Sequence, residues 1–331
     1  MNTTIPEPRR PANQASGRRP ADGAGYPESV TIVEVGPRDG LQNEAARLTT
    51  DQKIEFIERL SRTGLRCIEA TAFCSPRALP PLADAEAVMQ RLHHSPDVRY
   101  PVLVPNRTGL DRAIAAGVRD IAVFTAASDT FCRKNIHQGM ESSLRSFRPM
   151  IRHALNHGIR VRGYVSCALG CPYEGEVPVA RVVTIASELL DAGCAEIALG
   201  DTTGGGAPLL AQTTLCAVAH HIPVERIGVH FHDTWGQALS NILVCLRQGV
   251  RTVDASVAGL GGCPYAPGAG GNVATEDLVY MLQGMGIETG VDLGALADIG
   301  NDICALLGRD TRSKAAQALN AKGAMPCGSK G

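Results

Sequence analysis

From Ser29 onward, short runs of apolar, largely β-branched residues alternate with longer stretches in which apolar positions recur every three to four residues. The short runs read as strands buried on both faces and the longer stretches as amphipathic helices. Eight strands are predicted: Val30–Val35, Cys67–Phe73, Tyr100–Val104, Asp120–Thr125, Arg160–Ser166, Glu196–Gly200, Ile227–His232 and Thr252–Ala258. A helical pattern follows each of them. Between Thr50 and Arg62, for instance, Thr49 or Thr50 offers a cap, Ile54, Ile57 and Leu60 share one face, and Gly64 ends the helix.

Successive βα units predict a parallel sheet, and closing eight of them into a (β/α)8 TIM barrel pairs every strand, where an open sheet would leave two edges. The expected fold is therefore α/β, a TIM barrel with additional C-terminal helices spanning residues 29–320. Those helices, from Val291 to about Leu319, are expected to pack beneath or beside the barrel. Residues 1–28, rich in Pro, Arg, Ala and Gly and without periodicity, are expected to form a disordered extension, and 321–331 a flexible tail.

Composition narrows the function classes. The 331 residues are 44% hydrophobic with a formal net charge of −1 and no long basic block, which argues against nucleic acid or an anionic membrane surface as partner. No apolar run approaches the roughly 20 residues of a membrane-spanning helix. A cytoplasmic location is expected. The mitochondrial matrix is the alternative, since arginines outnumber acids in the extension, although its prolines would interrupt a targeting helix. The 11 cysteines lack zinc-type pairing and read as reduced thiols, with Cys327 in the tail a candidate for an inter-chain disulfide.

Chemistry-bearing residues collect at the C-terminal ends of the predicted strands, which converge on one mouth in a barrel. Arg38 and Asp39 follow the first strand, Glu69 lies in the second, Asp201 follows the sixth, His230 and His232 end the seventh, and Cys263 and Asn272 follow the eighth. His230 and His232 are two apart on a strand and project from one face, so they read either as hydrogen-bonded core histidines or as ligands of one ion. With Asp39 and Asn272 supplying oxygen, the set suits Mg²⁺ or Mn²⁺ at least as well as Zn²⁺. Arg38 beside Asp39 is either an ordinary ion pair or, between Gly36 and Gly40, an oxyanion-stabilising group held by a tight turn. The glycine-rich run 259–272 reads as a plain connection or as a loop that carries Cys263 over the mouth for proton transfer.

Five segments carry a resemblance: Val35-Gly36-Pro37-Arg38-Asp39-Gly40-Leu41-Gln42-Asn43-Glu44, Gly170-Cys171-Pro172-Tyr173-Glu174-Gly175, Leu199-Gly200-Asp201-Thr202, His230-Phe231-His232-Asp233-Thr234, and Val257 through the glycine loop to Leu278. In this order they resemble the 3-hydroxy-3-methylglutaryl-CoA (HMG-CoA) lyases of the DRE-TIM metallolyase superfamily. The resemblance implies retro-aldol cleavage of HMG-CoA to acetyl-CoA and acetoacetate, with Mg²⁺ or Mn²⁺ as the divalent cation. It implies metal ligation by Asp39, His230, His232 and Asn272 and a homodimer acting on an acyl-CoA. The implied catalytic residues are Arg38, at the enolate, with Cys263, Glu69, Asp201 and His230. Arg38, Gln42 and Asn135 are the substrate-binding candidates. Two segments depart from the family pattern. Ala72-Phe73-Cys74-Ser75-Pro76-Arg77-Ala78-Leu79-Pro80-Pro81 stands where Ser-Phe-Val-Ser-Pro-Lys-Trp-Val-Pro-Gln is usual, and Thr203 and Gly205 replace apolar residues. A related substrate such as citramalyl-CoA, an acetyl-CoA condensing synthase, and a non-catalytic acyl-CoA-binding barrel are the alternatives.

Overall fold

The structure, a computed structural model, describes residues 25–262 and 270–323. The expected extension, Cys263 and Cys327 thus lie wholly or largely outside the described residues. Among those residues run nine parallel strands: β1 (Thr31–Glu34), β2 (Cys67–Ile68), β3 (Thr71–Ala72), β4 (Val102–Leu103), β5 (Asp120–Ala126), β6 (Arg160–Ser166), β7 (Glu196–Asp201), β8 (Ile227–Phe231) and β9 (Thr252–Ala255). They form one sheet in the order β2-β1-β9-β8-β7-β6-β5-β4-β3.

The barrel closes through a seam. The predicted second strand is two pieces interrupted at Glu69 and Ala70, with β2 pairing β1 and β3 pairing β4. Within the gap the Glu69 N–H donates to Glu34 O, while the Ala70 N–H donates to Pro101 O. One short segment therefore bonds to both neighbours, and no edge is left open. The interruption leaves the Glu69 carboxylate on Arg38.

Other differences have local causes. The third predicted strand shrinks to Val102–Leu103 because Pro101 and Pro105 have no N–H to donate. The eighth ends at Ala255, since Ala258 takes a left-handed φ of 57° inside a 3₁₀ turn, Val257–Gly259. The first strand stops at Glu34, where Gly36–Gly40 winds into a single π turn. Helix Thr50–Ser61 starts at Thr49, whose side chain accepts from the Gln52 N–H while the Gln52 side chain accepts from the Thr49 N–H. Outward-facing Val161, Val165, Ile197 and Val229 join the main apolar core against the helices, whereas Ala72, Leu103, Ala122, Tyr164 and Ala198 cluster separately within the barrel.

Two buried carboxyls hold the strand ends that build the mouth. Glu34 accepts from Gly36 N, Val257 N and Thr275 Oγ1. Both oxygens of Glu276 accept from the Ala258 N–H at 2.9 Å. Burial pushes Glu34 up to about 7 and Glu276 up to about 8, the latter with further repulsion from Glu34 and Asp277. A raised pKa means the fold holds more protons than the unfolded chain. The stability tied to Glu276 is full below the ordinary 4.5 and is lost as pH rises towards about 8. Glu276→Gln is expected to flatten the fall in Tm between about pH 4.5 and pH 8. An unchanged Tm–pH curve in that variant would remove Glu276 as its source.

Candidate active site

The π turn after β1 presents Arg38 and Asp39 at the mouth because nothing larger than glycine fits at its two ends. A Cβ at Gly36 would stand 2.6 Å from Glu34 Oε1, and one at Gly40 would stand 2.8 Å from Leu260 Cβ. Arg38 is buried. Its Nε donates to Glu69 Oε2 at 2.8 Å, Nη2 lies 2.7 Å from the same oxygen, and Nη1 donates to Asp39 Oδ1 at 2.6 Å. Burial alone would weaken the guanidinium's hold on its proton, but Glu69 and Asp39 reverse this and raise its pKa. Glu69 Oε1 is buried with no hydrogen-bond partner. Burial raises the Glu69 pKa against the opposing pull of Arg38.

His230, on β8, and His232, just beyond it, face Asp39 across the mouth. Asp39 Oδ2 is 3.9 Å from His230 Nε2 and 3.8 Å from His232 Nε2, and the three donor atoms lie within 4.8 Å of one another. Those separations are too long for hydrogen bonds. The carboxylate and imidazoles converge without satisfying each other, as donors sharing a divalent cation would, so the residues present fit such an ion. Asn272 lies beside the group: its Nδ2 donates to Asp39 Oδ2 at 2.7 Å, and its backbone bridges His232. Burial works to raise the Asp39 pKa, but Arg38 and the two histidines outweigh it and hold the carboxyl well below its ordinary range.

Behind the histidines lies a network that the sequence reading missed. His230 Nδ1 is 3.2 Å from Asp254 Oδ2. Asp254 accepts from Arg162 Nη1 and Nη2 at 2.9 and 2.7 Å and from Tyr164 Oη at 2.9 Å, while Arg162 Nε donates to Glu196 at 2.6 Å. Burial opposes the Asp254 charge, yet Arg162 brings its pKa down to about 2. A carboxylate on Nδ1 fixes the imidazole with Nε2 towards Asp39. The signal was available: Arg162, Tyr164, Glu196 and Asp254 are polar residues within otherwise apolar strands. Asp254→Asn is expected to weaken Mn²⁺ binding to the purified protein by about 10- to 100-fold, read by titration calorimetry. Wild-type affinity in that variant would remove the orienting role.

A cavity of about 640 Å³ opens over this group, and Arg38, Asp39, Gln42, Asn135, His230 and His232 all line it. Glu69 stands behind Arg38. Asp201, fully buried, accepts from Gly206 N at 2.8 Å and Thr203 Oγ1 at 3.4 Å, shaping the loop after β7. Thr202, not Asp201, lines the cavity. Cys263 lies outside the described residues, while its neighbour Gly262 is on the cavity wall. Asn135 reaches the cavity from helix Asp129–Ile136, where Ser128 caps Phe131 N and Glu174 of the Gly-Cys-Pro-Tyr-Glu-Gly segment accepts from Thr130 N. On the same helix Lys134 lies 3.9 Å from the Tyr173 ring centroid and also lines the cavity. Cys74, Ser75, Ala78 and Leu79 form another part of the wall, so the departures after β3 face the space where substrate would sit.

The family model described as HMGL-like matches residues 29–303. The chain belongs to the HMGL-like family. Among curated relatives of this HMGL-like chain, the cytoplasmic 3-hydroxy-3-methylglutaryl-CoA lyase of Rattus norvegicus is 55% identical over 89% of this chain and 86% of the relative. The mitochondrial hydroxymethylglutaryl-CoA lyase of Gallus gallus is 54% identical over 88% and 98%. The solved hydroxymethylglutaryl-CoA lyase of Pseudomonas aeruginosa superposes with a TM-score of 0.88 at 48% identity, covering 90% of this chain and 99% of that one. An HMG-CoA lyase from A. baumannii, solved with coenzyme A and 3-methylmalate, superposes at 0.85 with 38% identity, covering 88% and 95%. The barrel with C-terminal helices and the family expected from the HMGL-like motifs are both borne out.

Proposed function

We propose that this HMGL-like enzyme cleaves HMG-CoA to acetyl-CoA and acetoacetate, with Mg²⁺ or Mn²⁺ held by Asp39, His230, His232 and Asn272. One observation carries the reading: Asp39 and two imidazoles converge beside a buried arginine at the floor of a cavity of about 640 Å³. A divalent cation bound there supplies Lewis acidity to the substrate's 3-hydroxyl. The hydroxyl proton passes to a base at the mouth and from there restores the thiol that protonates C2, while C3 becomes a ketone and the C2–C3 bond breaks with its electron pair going to C2 of the thioester. Arg38, held by Glu69 and Asp39, offers N–H donors to the enolate oxygen that develops, and Cys263 delivers the proton that turns the enolate into acetyl-CoA. Gln42 and Asn135 orient the acyl-CoA.

The relatives' names support lyase over synthase, and the close grouping of Arg38, Asp39, His230 and His232 opposes a merely binding barrel. We place the barrel over 29–320 as one domain and, from the family resemblance, infer a homodimer. The relatives are named both cytoplasmic and mitochondrial, and we propose the cytoplasm here. No helix among the described residues is long and apolar enough to cross a membrane. Product analysis tests the reaction: HMG-CoA should yield acetyl-CoA and acetoacetate in equal amounts. Condensation of the two faster than any cleavage, or no turnover, would overturn it. Citramalyl-CoA offered in parallel reads the acyl preference set by the Cys74 to Leu79 wall.

A further inference from the structure

Helix Met140–Asn156 brings Ser146 and Phe147 to the cavity wall, and about two turns further on it carries His153 and, as its capping residue, His157. Neither histidine lines the cavity. Residues four apart stand one above the other on a helix. His157 ends this one, yet its φ of −94° and ψ of 10° continue the turn, and the two rings meet with centroids 4.4 Å apart at 55°. His153 is half-buried and His157 exposed.

The contacts of the two rings orient them as ligands. His157 Nδ1 lies 2.9 Å from the His153 carbonyl oxygen. A carbonyl only accepts, so Nδ1 carries the hydrogen and the neutral ring keeps its lone pair on Nε2. A backbone carbonyl on one ring nitrogen is the arrangement that fixes a histidine for a metal at the other. His153 Nε2 is 3.7 Å from Asp111 Oδ1, too long for a hydrogen bond. Burial, then the charges of Arg107 and His157, lower the His153 pKa against the pull of Asp111. The ring is therefore mostly neutral at pH 7, and its approach to Asp111 is not an ion pair. Asp111, on helix Arg107–Ala115, is held by Arg107 Nε, which donates to Oδ1 at 2.8 Å, and its charge offsets that of the arginine. A carboxylate from a second helix thus joins the two imidazoles, which ring contact alone does not require.

We propose that His153 and His157 form a second metal site, outside the cavity, that takes a late first-row divalent ion such as Zn²⁺, Ni²⁺ or Cu²⁺ between their imidazoles, with Asp111 beside it and water completing the coordination. Imidazole suits these ions, whereas Mg²⁺ takes oxygen ligands. Two histidines four apart on one helical face are a known way of holding such an ion.

Calorimetric titration of the full chain with Ni²⁺ tests the site. His153→Ala and His157→Ala should each bind one equivalent fewer than wild type, or bind it more than about 10-fold more weakly. Asp111→Asn should weaken the same equivalent by a smaller factor, and Asp39→Asn should retain it. Cleavage of HMG-CoA with Mg²⁺, and Tm without added metal, should stay at wild-type values in both histidine variants, which shows that the lost equivalent does not come from a damaged fold or mouth. Equal Ni²⁺ stoichiometry and affinity in wild type and both histidine variants overturns the site. Loss of every Ni²⁺ equivalent in Asp39→Asn also overturns it, because the ion would then belong to the mouth.

Discussion

Replacing Arg38 by methionine is expected to lower kcat for HMG-CoA cleavage by about 10²- to 10³-fold, the effect of removing a donor aimed at a developing oxyanion. The same change is expected to destabilise the fold by about 3–5 kcal/mol, because it leaves the buried Glu69 carboxylate without its partner and takes the ion pair from the half-buried Asp39. From the sequence alone Arg38→Met reads as a change that leaves folding near normal. The structure corrects this: the arginine is 6% exposed and bonded to two acids. The two effects separate in Arg38→Met/Glu69→Gln, which no longer has a buried charge at position 69. Denaturant unfolding should show stability recovered in part, while kcat stays at the level of Arg38→Met. Turnover near wild type in either variant would exclude Arg38 from the enolate site.

Asp39→Asn is expected to have the other large effect, weakening Mn²⁺ binding by more than about 100-fold and removing turnover with it. The amide keeps the shape and one acceptor oxygen but loses the charge that balances a cation and half of the ion pairing of Arg38. The loss should be recovered in part at high metal concentration, because His230, His232 and Asn272 remain in place. Isothermal titration with Mn²⁺ and kcat measured against metal concentration read both. Unchanged metal affinity would contradict the assignment of Asp39 as a ligand.

What could be read from the chain follows from the range of the interactions. Repeated βα units are local patterns, and closure follows from counting them, so the barrel was legible. The seam at Glu69 was not, because it depends on which neighbours the Glu69 and Ala70 N–H groups reach, Glu34 on one side and Pro101 on the other. His230 and His232 stood out because two-residue spacing fixes a shared face. Asp254 did not, since its meaning lies in contacts with His230, 24 residues away, and Arg162, 92 residues away. Asp201 shows the converse. Its motif placed it at a strand end near the mouth, but its carboxylate is taken up by Gly206 N.

The most direct test of the central claim is acetyl-CoA release from the metal-stripped protein given HMG-CoA, before and after Mg²⁺ or Mn²⁺ is returned. Cleavage through a cation at Asp39, His230, His232 and Asn272 requires release that is negligible in the stripped protein and restored by either ion, with acetoacetate formed in equal amount. Release at the same rate with and without metal, or none under either condition, would contradict it.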